Sequence, residues 1–488
     1  IETSHYQIYQ VLLIAKALQL RGADVLILVC DETLPGCEIK SSRNTKVDPC
    51  LNCKMNARYL IPEFKLNIMQ LSNIVPDKKI EQLREIARTI VSEYPPYYEY
   101  AGVDIIRTVD DSVIRYFYGG VPGEGSEELN DVRLRYVTSI LIGFEAAKSI
   151  QKTWNPDIIF GNMEVYVDWS PYHKYFSKHG KKSSTISMSQ FNYKTLLVNA
   201  NDLYRSNKRY LNWTEISGSS SLTASQEDEI QQFISERFKG DSDVFRQYGY
   251  FHEDSESITV DKSKRNIFLF SNVFWDVGMS EFGELYSGVI SWVLSSVDLI
   301  KDYPDCHLYI KPHPSESFDV ESSKGVVDFI NEKFPQLPSN ITIIFPEMKI
   351  RTYDLFEHID VGVVYNGTLG LEMLFSGIPV ISCGKTPYGG INLVSEPDTE
   401  KAYLELLLGE RNLEKPSKEQ VSHFAYFYFI KTLIPWKYAN NAYGEAFKGF
   451  KMDNIRDLIP SSDYYLDHLC NSIMSPDEYF LDSWKDPS

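Results

Sequence analysis

The chain has 488 residues, of which 43% are hydrophobic and 24% charged, with a net charge of −18 at pH 7. This length is enough for two domains with separate cores, and the composition is that of a soluble globular protein. The acidic balance without an obvious basic face argues against a nucleic-acid-binding protein, no apolar run is long enough for a transmembrane helix, and no secretory signal peptide is visible.

The first 258 residues alternate between helical and strand patterns, which predicts a Rossmann-like N-terminal domain. The predicted helices are 7–22, 79–94, 131–152, 172–179 and 226–238, and the predicted strands are 24–30, 157–160 and 184–188. The strand that should precede the first helix is missing or lies upstream of Ile1. The charged segment 253–264 breaks the pattern, so the first domain is assigned to residues 1–258.

Four of the seven cysteines lie close together in this first domain, in and beside a predicted loop at 37–53: Cys30, Cys37, Cys50 and Cys53. Four thiolates at loop spacings, ending in a Cys-x-x-Cys pair, suit a structural zinc ion. The spacing is not that of a standard zinc finger. Free thiols, an iron–sulfur cluster and two disulfides stay open as alternatives, although disulfides are disfavoured in the cytosol. No organic cofactor is expected.

Residues 259–425 are predicted to form a second domain. A helix at 285–300 lies among predicted strands at 266–270, 307–310, 341–345, 361–364 and 380–382. This alternation predicts a parallel, doubly wound sheet. The remaining residues, 426–488, are predicted to form a C-terminal helical segment.

One segment of the second domain reads as strand, turn, helix, turn and strand. Asn366-Gly367 permits a sharp turn, and Thr368 is suited to cap a helix that begins at Leu369. The N–H groups at the start of such a helix attract anions, and phosphate is the usual guest. Glu372 follows one turn later on the same face, within reach of sugar hydroxyls. The alternative is an ordinary βαβ unit that binds nothing.

A second segment, Lys-Pro-His-Pro, follows the predicted strand 307–310 directly. Its two prolines stiffen the loop and fix where His313 points. Lys311 and His313 can both donate a hydrogen bond to a phosphate. A lone His-Pro pair is more often an ordinary surface feature, but this one precedes the Gly-Thr helix in the same domain.

These segments resemble the capsule-polysaccharide biosynthesis glycosyltransferases, which include bacterial Kdo transferases. The resemblance rests on YIKPHP, YNGTLGLEMLFSGIPVISCG, FSNVFWD at 270–276 and TPYGGINLVSEPDTEKAYLELL at 386–407, and HFAYFYFIKTLIP at 423–435 is similar to the C-terminal helix of that family. It covers roughly residues 265–435 and is looser in the amino-terminal half. It implies a GT-B-like α/β fold, with two Rossmann-like doubly wound domains facing a cleft and C-terminal helices packing back on the first domain.

In such a fold the nucleotide sugar binds the second domain and the acceptor binds the first. The resemblance implies that His313, Lys311 and Thr368 hold the donor phosphate as the leaving group, that Glu372 binds a ribose hydroxyl, and that Tyr388 lines the base or sugar unless it is a loop anchor. The predicted nucleotide-binding residues are Lys311, His313, Asn366, Gly367, Thr368, Leu369, Glu372 and Tyr388.

Sugar transfer needs one or two carboxylates near the anomeric carbon. Glu164, at the end of the predicted strand 157–160, is the first candidate, and an ordinary helix-start residue is its alternative. Asp276, just past the first strand of the second domain, is the second. Retaining Kdo enzymes use a carboxylate as covalent nucleophile, although a plain helix cap explains Asp276 equally well. The sequence does not decide between retention and inversion. With His313, these two residues are the predicted catalytic set.

The resulting prediction is a cytoplasmic glycosyltransferase that builds a bacterial surface polysaccharide or glycolipid. CMP-Kdo is the best single guess for the donor, and the acceptor is a glycan or glycolipid. Peripheral association with the inner face of the membrane and the oligomeric state stay open. The alternatives are a nucleotide-sugar epimerase of the same architecture and a non-catalytic scaffold of a capsule-assembly complex.

Overall fold

The computed structural model of the chain describes residues 8–40, 48–161, 163–188, 195–200, 221–239, 256–276, 283–318, 324–431, 433–438 and 452–475. The chain divides into two compact units. The first unit comprises residues 1–117, 121–202 and 432–488, and the second comprises 118–120 and 203–431.

The first unit contains the following elements before residue 200: α1 (Ile8–Leu20), β1 (Leu26–Val29), α2 (Pro49–Glu63), β2 (Asn67–Gln70), α3 (Leu71–Ile74), α4 (Asp77–Glu93), β3 (Glu99–Tyr100), β4 (Val103–Asp104), α5 (Ile106–Tyr116), α6 (Glu127–Thr153), β5 (Ile158–Gly161), α7 (Tyr166–Lys178), β6 (Lys182–Met188) and β7 (Thr195–Ala200). Strand β1 pairs in parallel with β2, and β5 pairs in parallel with β6. Strand β7 lies antiparallel to β6.

The long helix α6 organises the core of the first unit. The Ser126 hydroxyl caps it by accepting a hydrogen bond from the Leu129 N–H group, and two acidic residues occupy its first turn. Its buried side chains, among them Tyr136 and Phe144, pack with α4 and α7. This helix therefore forms the layer on which the strands and shorter helices of the unit assemble.

The predicted loop at 37–53 is wrong in its last part, where α2 begins at Pro49. The Asp48 carboxylate accepts a hydrogen bond from the Cys50 N–H group, and proline is favoured at the first helical position. Cys50 and Cys53 therefore lie on a helix, whereas Cys30 and Cys37 do not.

The second unit contains α8 (Ala224–Lys239), β8 (Arg265–Phe270), α9 (Val289–Ile300), β9 (Cys306–Lys311), α10 (Ser315–Phe318), α11 (Val326–Lys333), β10 (Ile341–Ile343), a 3-10 helix (Thr352–His358), β11 (Val361–Val364), α12 (Leu369–Phe375), β12 (Val380–Ser382), α13 (Glu400–Leu408) and α14 (Lys418–Tyr426). A π-helical turn, Phe427–Lys431, follows α14. Helix α8 packs on α14, where the Ser422 hydroxyl donates to the Glu227 carboxylate. The second unit thus extends before the boundary predicted at residue 259.

The strands of the second unit form one parallel sheet in the order β10-β9-β8-β11-β12. This is the strand order of a Rossmann-like half, and the predicted α/β class is confirmed. The central strands are buried on both faces, with Ile267, Leu308 and Val363 each at 0% exposure. Such continuous burial is why these strands read as unbroken apolar runs in the sequence.

The chain then returns to the first unit. Its last described elements are β13 (Leu433–Pro435), a 3-10 helix (Met452–Leu458) and α15 (Tyr464–Met474). Strand β13 pairs antiparallel with β7, so the predicted helical run does not extend through this stretch. Helix α15 packs on α1, and the Arg21 guanidinium donates to the Leu458 carbonyl and the Asp467 carboxylate. The predicted packing of a C-terminal helix on the first domain is confirmed.

Within the described residues, no helix combines the length and apolar character needed to span a bilayer.

Candidate functional site

The candidate site lies at the carboxyl end of the second sheet. The chain places β9 on one side of β8 and later crosses back to place β11 on the other side. The topological switch point therefore lies between β8 and β11, and open α/β sheets bind ligands at the carboxyl ends of the strands there. Three segments leave the sheet at this edge: the Lys-Pro-His-Pro loop after β9, the Asn-Gly-Thr turn after β11 and the loop after β8 that carries Asn272.

The turn after β11 is held by the segment after β8. The Asn272 side chain donates to the Asn366 carbonyl oxygen (2.9 Å) and accepts from the Asn366 N–H group (3.1 Å). Gly367 has a φ of +103°, and a Cβ atom there would lie 3.3 Å from the Asn272 amide nitrogen. The sequence prediction overlooked Asn272, although it lies inside the FSNVFWD segment.

Thr368 precedes α12 but does not cap it, so that part of the prediction is wrong. Its backbone is already helical and its side chain makes no capping hydrogen bond. The Thr368 hydroxyl instead donates to the Glu372 carboxylate (3.1 Å). Because the Thr368 hydroxyl donates to the Glu372 carboxylate, the first N–H groups of α12 receive no side-chain cap from Thr368.

Glu372 is a buried structural carboxylate, which corrects its predicted role on a ribose. Its side chain lies inside the unit at 1% exposure. Beside Thr368, the Arg237 guanidinium and the Tyr353 hydroxyl (2.7 Å) donate to its two oxygens. Arg237 comes from α8 and is itself buried. This network ties α8 and the 3-10 helix Thr352–His358 to the start of α12.

Tyr388 is a loop anchor, which was the second of its two predicted roles. The side chain is fully buried, and its hydroxyl donates to the Gly367 carbonyl oxygen (2.7 Å). Its ring also fills the space in which a Cβ atom at Gly370 would lie. Tyr388 therefore holds the turn after β11 from the buried interior of the second unit, and its ring is not exposed to a ligand.

Lys311, the last residue of β9, is 4% exposed, and burial lowers its pKa to about 8. Among the described residues, no carboxylate forms an ion pair with its ammonium group. The backbone fixes its position, because the Ser271 N–H group donates to the Lys311 carbonyl oxygen (3.1 Å) where β8 ends. A buried cation without an anionic partner is costly, and such groups are characteristic of binding sites.

His313 lies between two prolines in the loop after β9. Its Nδ1 atom accepts a hydrogen bond from the Ser315 N–H group (3.2 Å), so the neutral ring carries its proton on Nε2. Burial lowers the pKa of His313 to about 4, the Asp276 carboxylate opposes this shift, and Lys311 adds to it. His313 is therefore neutral at pH 7 and donates through Nε2. The same electrostatic coupling places Asp276 near His313 in the second unit.

Glu316, in α10 directly after this loop, is a third group with a displaced pKa. Burial raises its pKa to about 8, and the charges of Asp328 and Glu347 add to that shift. One carboxyl oxygen accepts from the Val326 N–H group (2.9 Å), and the other has no hydrogen-bond partner among the described residues. Lys311, His313 and Glu316 are therefore candidates for a functional site.

Glu164 lies in the first unit, between β5 and α7, and its side chain is half-buried. This is the carboxyl end of a strand, as the sequence predicts. Its proposed catalytic role stays a prediction, as does that of Asp276, which closes a short turn through a hydrogen bond from its N–H group to the Val273 carbonyl oxygen (3.3 Å).

The four clustered cysteines are the proposed ligands of a structural zinc ion, and this role stays a prediction. In the described part of the chain, the one group of at least three close metal-ligand atoms comprises Glu32, Asp48 and Cys50, and Lys54 already forms an ion pair with Glu32. Burial raises the pKa of the Cys30, Cys37 and Cys50 thiols.

The chain is similar to several solved structures. The beta Kdo 2,4 transferase KpsC of Thermosulfurimonas dismutans is 12% identical, with 55% of this chain and 78% of that chain covered and a TM-score of 0.37. The beta Kdo 2,7 transferase KpsC of the same organism is 14% identical, with 58% and 80% covered and a TM-score of 0.34. The UDP-GlcNAc 2-epimerase of Methanocaldococcus jannaschii is 11% identical, with 83% and 98% covered and a TM-score of 0.26. TM-scores this low carry no argument about the chemistry of this chain.

Among curated proteins, none matches this sequence. The family model described as "Capsule polysaccharide biosynthesis protein" matches residues 245–428, which include β8 to β12 and the motifs at their carboxyl ends. This match confirms, for residues 245–428, the resemblance predicted from those motifs.

Proposed function

We propose that the chain is a glycosyltransferase whose second unit binds the phosphate of a nucleotide-activated sugar. The observation that carries this proposal is the buried ammonium group of Lys311 beside the neutral ring of His313, at the carboxyl edge of the sheet. A phosphate there would supply the anion that the described residues do not offer to Lys311. The match of residues 245–428 to the capsule polysaccharide biosynthesis family model supports a sugar nucleotide over other phosphate compounds.

The site has the groups that a departing nucleotide needs. When the bond between the anomeric carbon and the phosphate oxygen breaks, negative charge develops on the phosphate. The ammonium group of Lys311, which is largely shielded from water, and the Nε2–H group of His313 would stabilise that charge from fixed positions. With a pKa near 8, Lys311 is mostly protonated at pH 7 and can act as this cation.

The carboxylate chemistry would come from Asp276 and Glu164. Asp276 lies close enough to His313 to influence its charge, so a sugar held by its phosphate at Lys311 and His313 would lie near this carboxylate. An aspartate in that position can attack the anomeric carbon as a nucleophile or stabilise its positive charge. Glu164 would serve the acceptor in the first unit.

CMP-Kdo is the proposed donor, and the proposed product is a bacterial surface polysaccharide or glycolipid made at the cytoplasmic face of the membrane. The family description supports the capsule context. The following test identifies the nucleotide.

The first test is calorimetric titration of the purified chain with CMP, UDP, GDP and dTDP. We expect one nucleotide to bind, and Lys311→Met to weaken that binding at least about tenfold because a charge-assisted phosphate contact is lost. Lys401→Met is the matched control, since Lys401 lies on α13 with its side chain 87% exposed. Equal affinity in the wild type and in Lys311→Met would contradict the assignment of the phosphate site.

The second test separates the enzyme classes with the nucleotide sugar itself. A glycosyltransferase releases the nucleotide and moves the sugar to an added glycan acceptor, whereas an epimerase converts the free nucleotide sugar without an acceptor. A scaffold protein does neither. Release of nucleotide that depends on Lys311 and not on Lys401 is the result that we expect.

A further inference from the structure

The first turn of α10 holds the ring of His313 in place. The Ser315 N–H group donates to the Nδ1 atom of the ring (3.2 Å), and the Glu316 N–H group donates to the His313 carbonyl oxygen (2.9 Å). Both donors belong to α10, a helix of four residues. The direction in which the Nε2–H group of His313 points therefore depends on the position of α10.

The side chain of Glu316 fastens α10 to another helix of the second unit. A single helical turn is too short to be stable by itself, so a tertiary contact has to fix it. The Oε2 atom of Glu316 accepts a hydrogen bond from the Val326 N–H group (2.9 Å), at the first residue of α11. Because Val326 is buried, its N–H group would lose its acceptor away from water if Glu316 withdrew. The contact thus gives α10 a fixed position on α11.

Gly325 provides the space that this contact needs. A Cβ atom at Gly325 would lie 2.7 Å from Oε2 of Glu316, which is closer than van der Waals contact allows. Its φ of −92° suits any residue, so the space beside Glu316, and not the backbone conformation, favours glycine here. The Gly325 N–H group donates to the Asp328 carboxylate (2.7 Å). Asp328 therefore caps α11 from within, whereas Glu316 links α11 to α10.

Glu316 makes this contact as a mostly neutral carboxyl group at pH 7. Burial raises its pKa to about 8, and the charges of Asp328 and Glu347 add to this shift. In the neutral group, Oε2 acts as the carbonyl oxygen that accepts from Val326, and Oε1 carries the proton. A glutamine side chain has the same shape and an equivalent carbonyl oxygen. We therefore expect Glu316→Gln to keep the contact and Glu316→Ala to lose it.

We propose that Glu316 and Gly325 form a clasp that positions His313 for the donor phosphate. The proposal rests on the proposed function, because it takes His313 to be a phosphate ligand. Both residues act through His313 and are positioning residues. With the clasp in place, Ser315 stays at Nδ1, and the proton of the neutral ring stays on Nε2. Without it, the ring can turn and the Nε2–H group loses its fixed direction.

The first part of the test observes His313 without any nucleotide. The imidazole nitrogen signals of the full chain, labelled with 15N-histidine, are recorded by NMR from pH 7 to about pH 5, and His313→Gln identifies the signals of His313. Burial lowers the pKa of His313 to about 4, so we expect the wild type and Glu316→Gln to keep a largely neutral ring with its proton on Nε2. In Glu316→Ala and Gly325→Ala the ring is expected to gain access to water, which raises its pKa toward the ordinary value of 6.5.

Gly288→Ala is the matched control for Gly325→Ala. Gly288 also precedes a helix of the second unit, α9, but a Cβ atom there would meet nothing within 4 Å. We expect this variant to keep the wild-type signals of His313. Gly325→Ala removes no hydrogen-bonding group, so it tests the clasp even if Glu316→Ala fails to fold.

The second part measures nucleotide affinity by calorimetry. Glu316→Ala and Gly325→Ala are expected to weaken binding about fivefold, as His313→Gln does, because each removes one well-placed hydrogen bond to the phosphate. Glu316→Gln and Gly288→Ala should bind as the wild type does. The double variant Glu316→Ala/His313→Gln should bind no more weakly than His313→Gln alone, since both changes act through one contact.

Unchanged signals of His313 in Glu316→Ala and Gly325→Ala would overturn the proposal. Moved signals with unchanged affinity would overturn the role of the clasp in phosphate binding, whereas Lys311→Met tests the proposed function separately. If no nucleotide binds to the wild type, the proposed function fails, and the NMR spectra alone still decide whether the clasp holds His313. Equal effects of Gly288→Ala and Gly325→Ala would also overturn it, because the effect would then not come from the space beside Glu316.

Discussion

The ammonium group of Lys311 is expected to destabilise the folded chain while it contributes to the proposed phosphate binding. A shift of its pKa from 10.5 to about 8 corresponds to a cost on the order of 3 kcal/mol for keeping the ammonium group charged in the folded chain. An ordinary core position would carry an apolar side chain instead. A bound anion would offset this cost, so the buried charge of Lys311 is consistent with a site that binds an anion during the catalytic cycle.

The expected result is that Lys311→Met raises the melting temperature of the nucleotide-free chain at pH 7. In the wild type, the pKa of Lys311 is lower in the folded chain than in the unfolded chain, so the unfolded chain binds more protons between pH 8 and 10.5. The wild type therefore gains stability as the pH rises through that window. The advantage of Lys311→Met should shrink between pH 7 and 10 in melts recorded by circular dichroism. A melting temperature below that of the wild type at pH 7 would show that Lys311 has a stabilising partner in the folded chain.

The ion pair between Arg237 and Glu372 gives a second prediction at the residue scale. Both side chains are buried, so removal of one partner leaves the other charge without compensation. Arg237→Met is expected to lower the free energy of unfolding by about 3–5 kcal/mol, as measured in urea melts. The double variant Arg237→Met/Glu372→Gln should recover part of this loss, because the amide carries no charge. No recovery in the double variant would mean that Arg237 acts mainly through packing.

At the scale of elements, the turn after β11 depends on the conformation of a single glycine. Gly367→Ala combines a positive φ with a Cβ atom 3.3 Å from the Asn272 amide, whereas Gly377→Ala adds a similar φ of +80° in open space. Both variants are expected to lose about 1–3 kcal/mol of unfolding free energy from backbone strain. Only Gly367→Ala should also weaken nucleotide binding in calorimetry, because it displaces Asn272 and the turn beside Lys311. Equal effects of both variants on binding would argue against a ligand at this turn.

The sequence predicted the strands of the second sheet well, because each is an apolar run with a helix after it. The bounds of β11 and β12, Val361–Val364 and Val380–Ser382, agree with the prediction, and Lys311 and His313 lie where their motif places them. Strands β7 and β13 were missed. Their antiparallel pairing joins segments far apart in the chain, so no local pattern reveals it.

The same distinction explains the errors at the site. Glu372 was assigned to a ribose because its local position, one turn into a helix after a Gly-Thr turn, suits that role. Its partner Arg237 is 135 residues away, and only the fold brings the two charges together. Tyr388 has the second of its two predicted roles, the loop anchor, and the acceptor of its hydroxyl group, the Gly367 carbonyl oxygen, lies 21 residues earlier in the chain. The error at Thr368 is an exception and was local, because its hydroxyl donates to Glu372 one turn later instead of capping the helix.

At the scale of the whole molecule, the chain enters the first unit at both ends of its sequence. Residues 432–488 return to the first unit, where β13 extends the sheet of β5, β6 and β7 and α15 packs on α1. The first unit is therefore built from both ends of the sequence. A truncation after the family-matched segment 245–428 would remove elements of the first unit, so each unit has to be tested in the full chain.

Glu164 in the first unit and Asp276 in the second allow the contribution of both units to be tested in that way. Glu164→Gln and Asp276→Asn keep the volume of the side chain and remove its charge, and each is expected to lower turnover by about 10² to 10⁴. Nucleotide affinity should change little in either, because neither carboxylate is assigned to the phosphate. The exposed residues Glu93 and Asp302 provide the controls Glu93→Gln and Asp302→Asn, which should keep full activity.

If Asp276 is a nucleophile, donor without acceptor should leave the wild type heavier by one sugar in intact-protein mass spectra, and Asp276→Asn should show no such adduct. Full turnover in Asp276→Asn would reduce Asp276 to its turn hydrogen bond and direct the search to Glu316 in α10, the helix that follows the loop after β9.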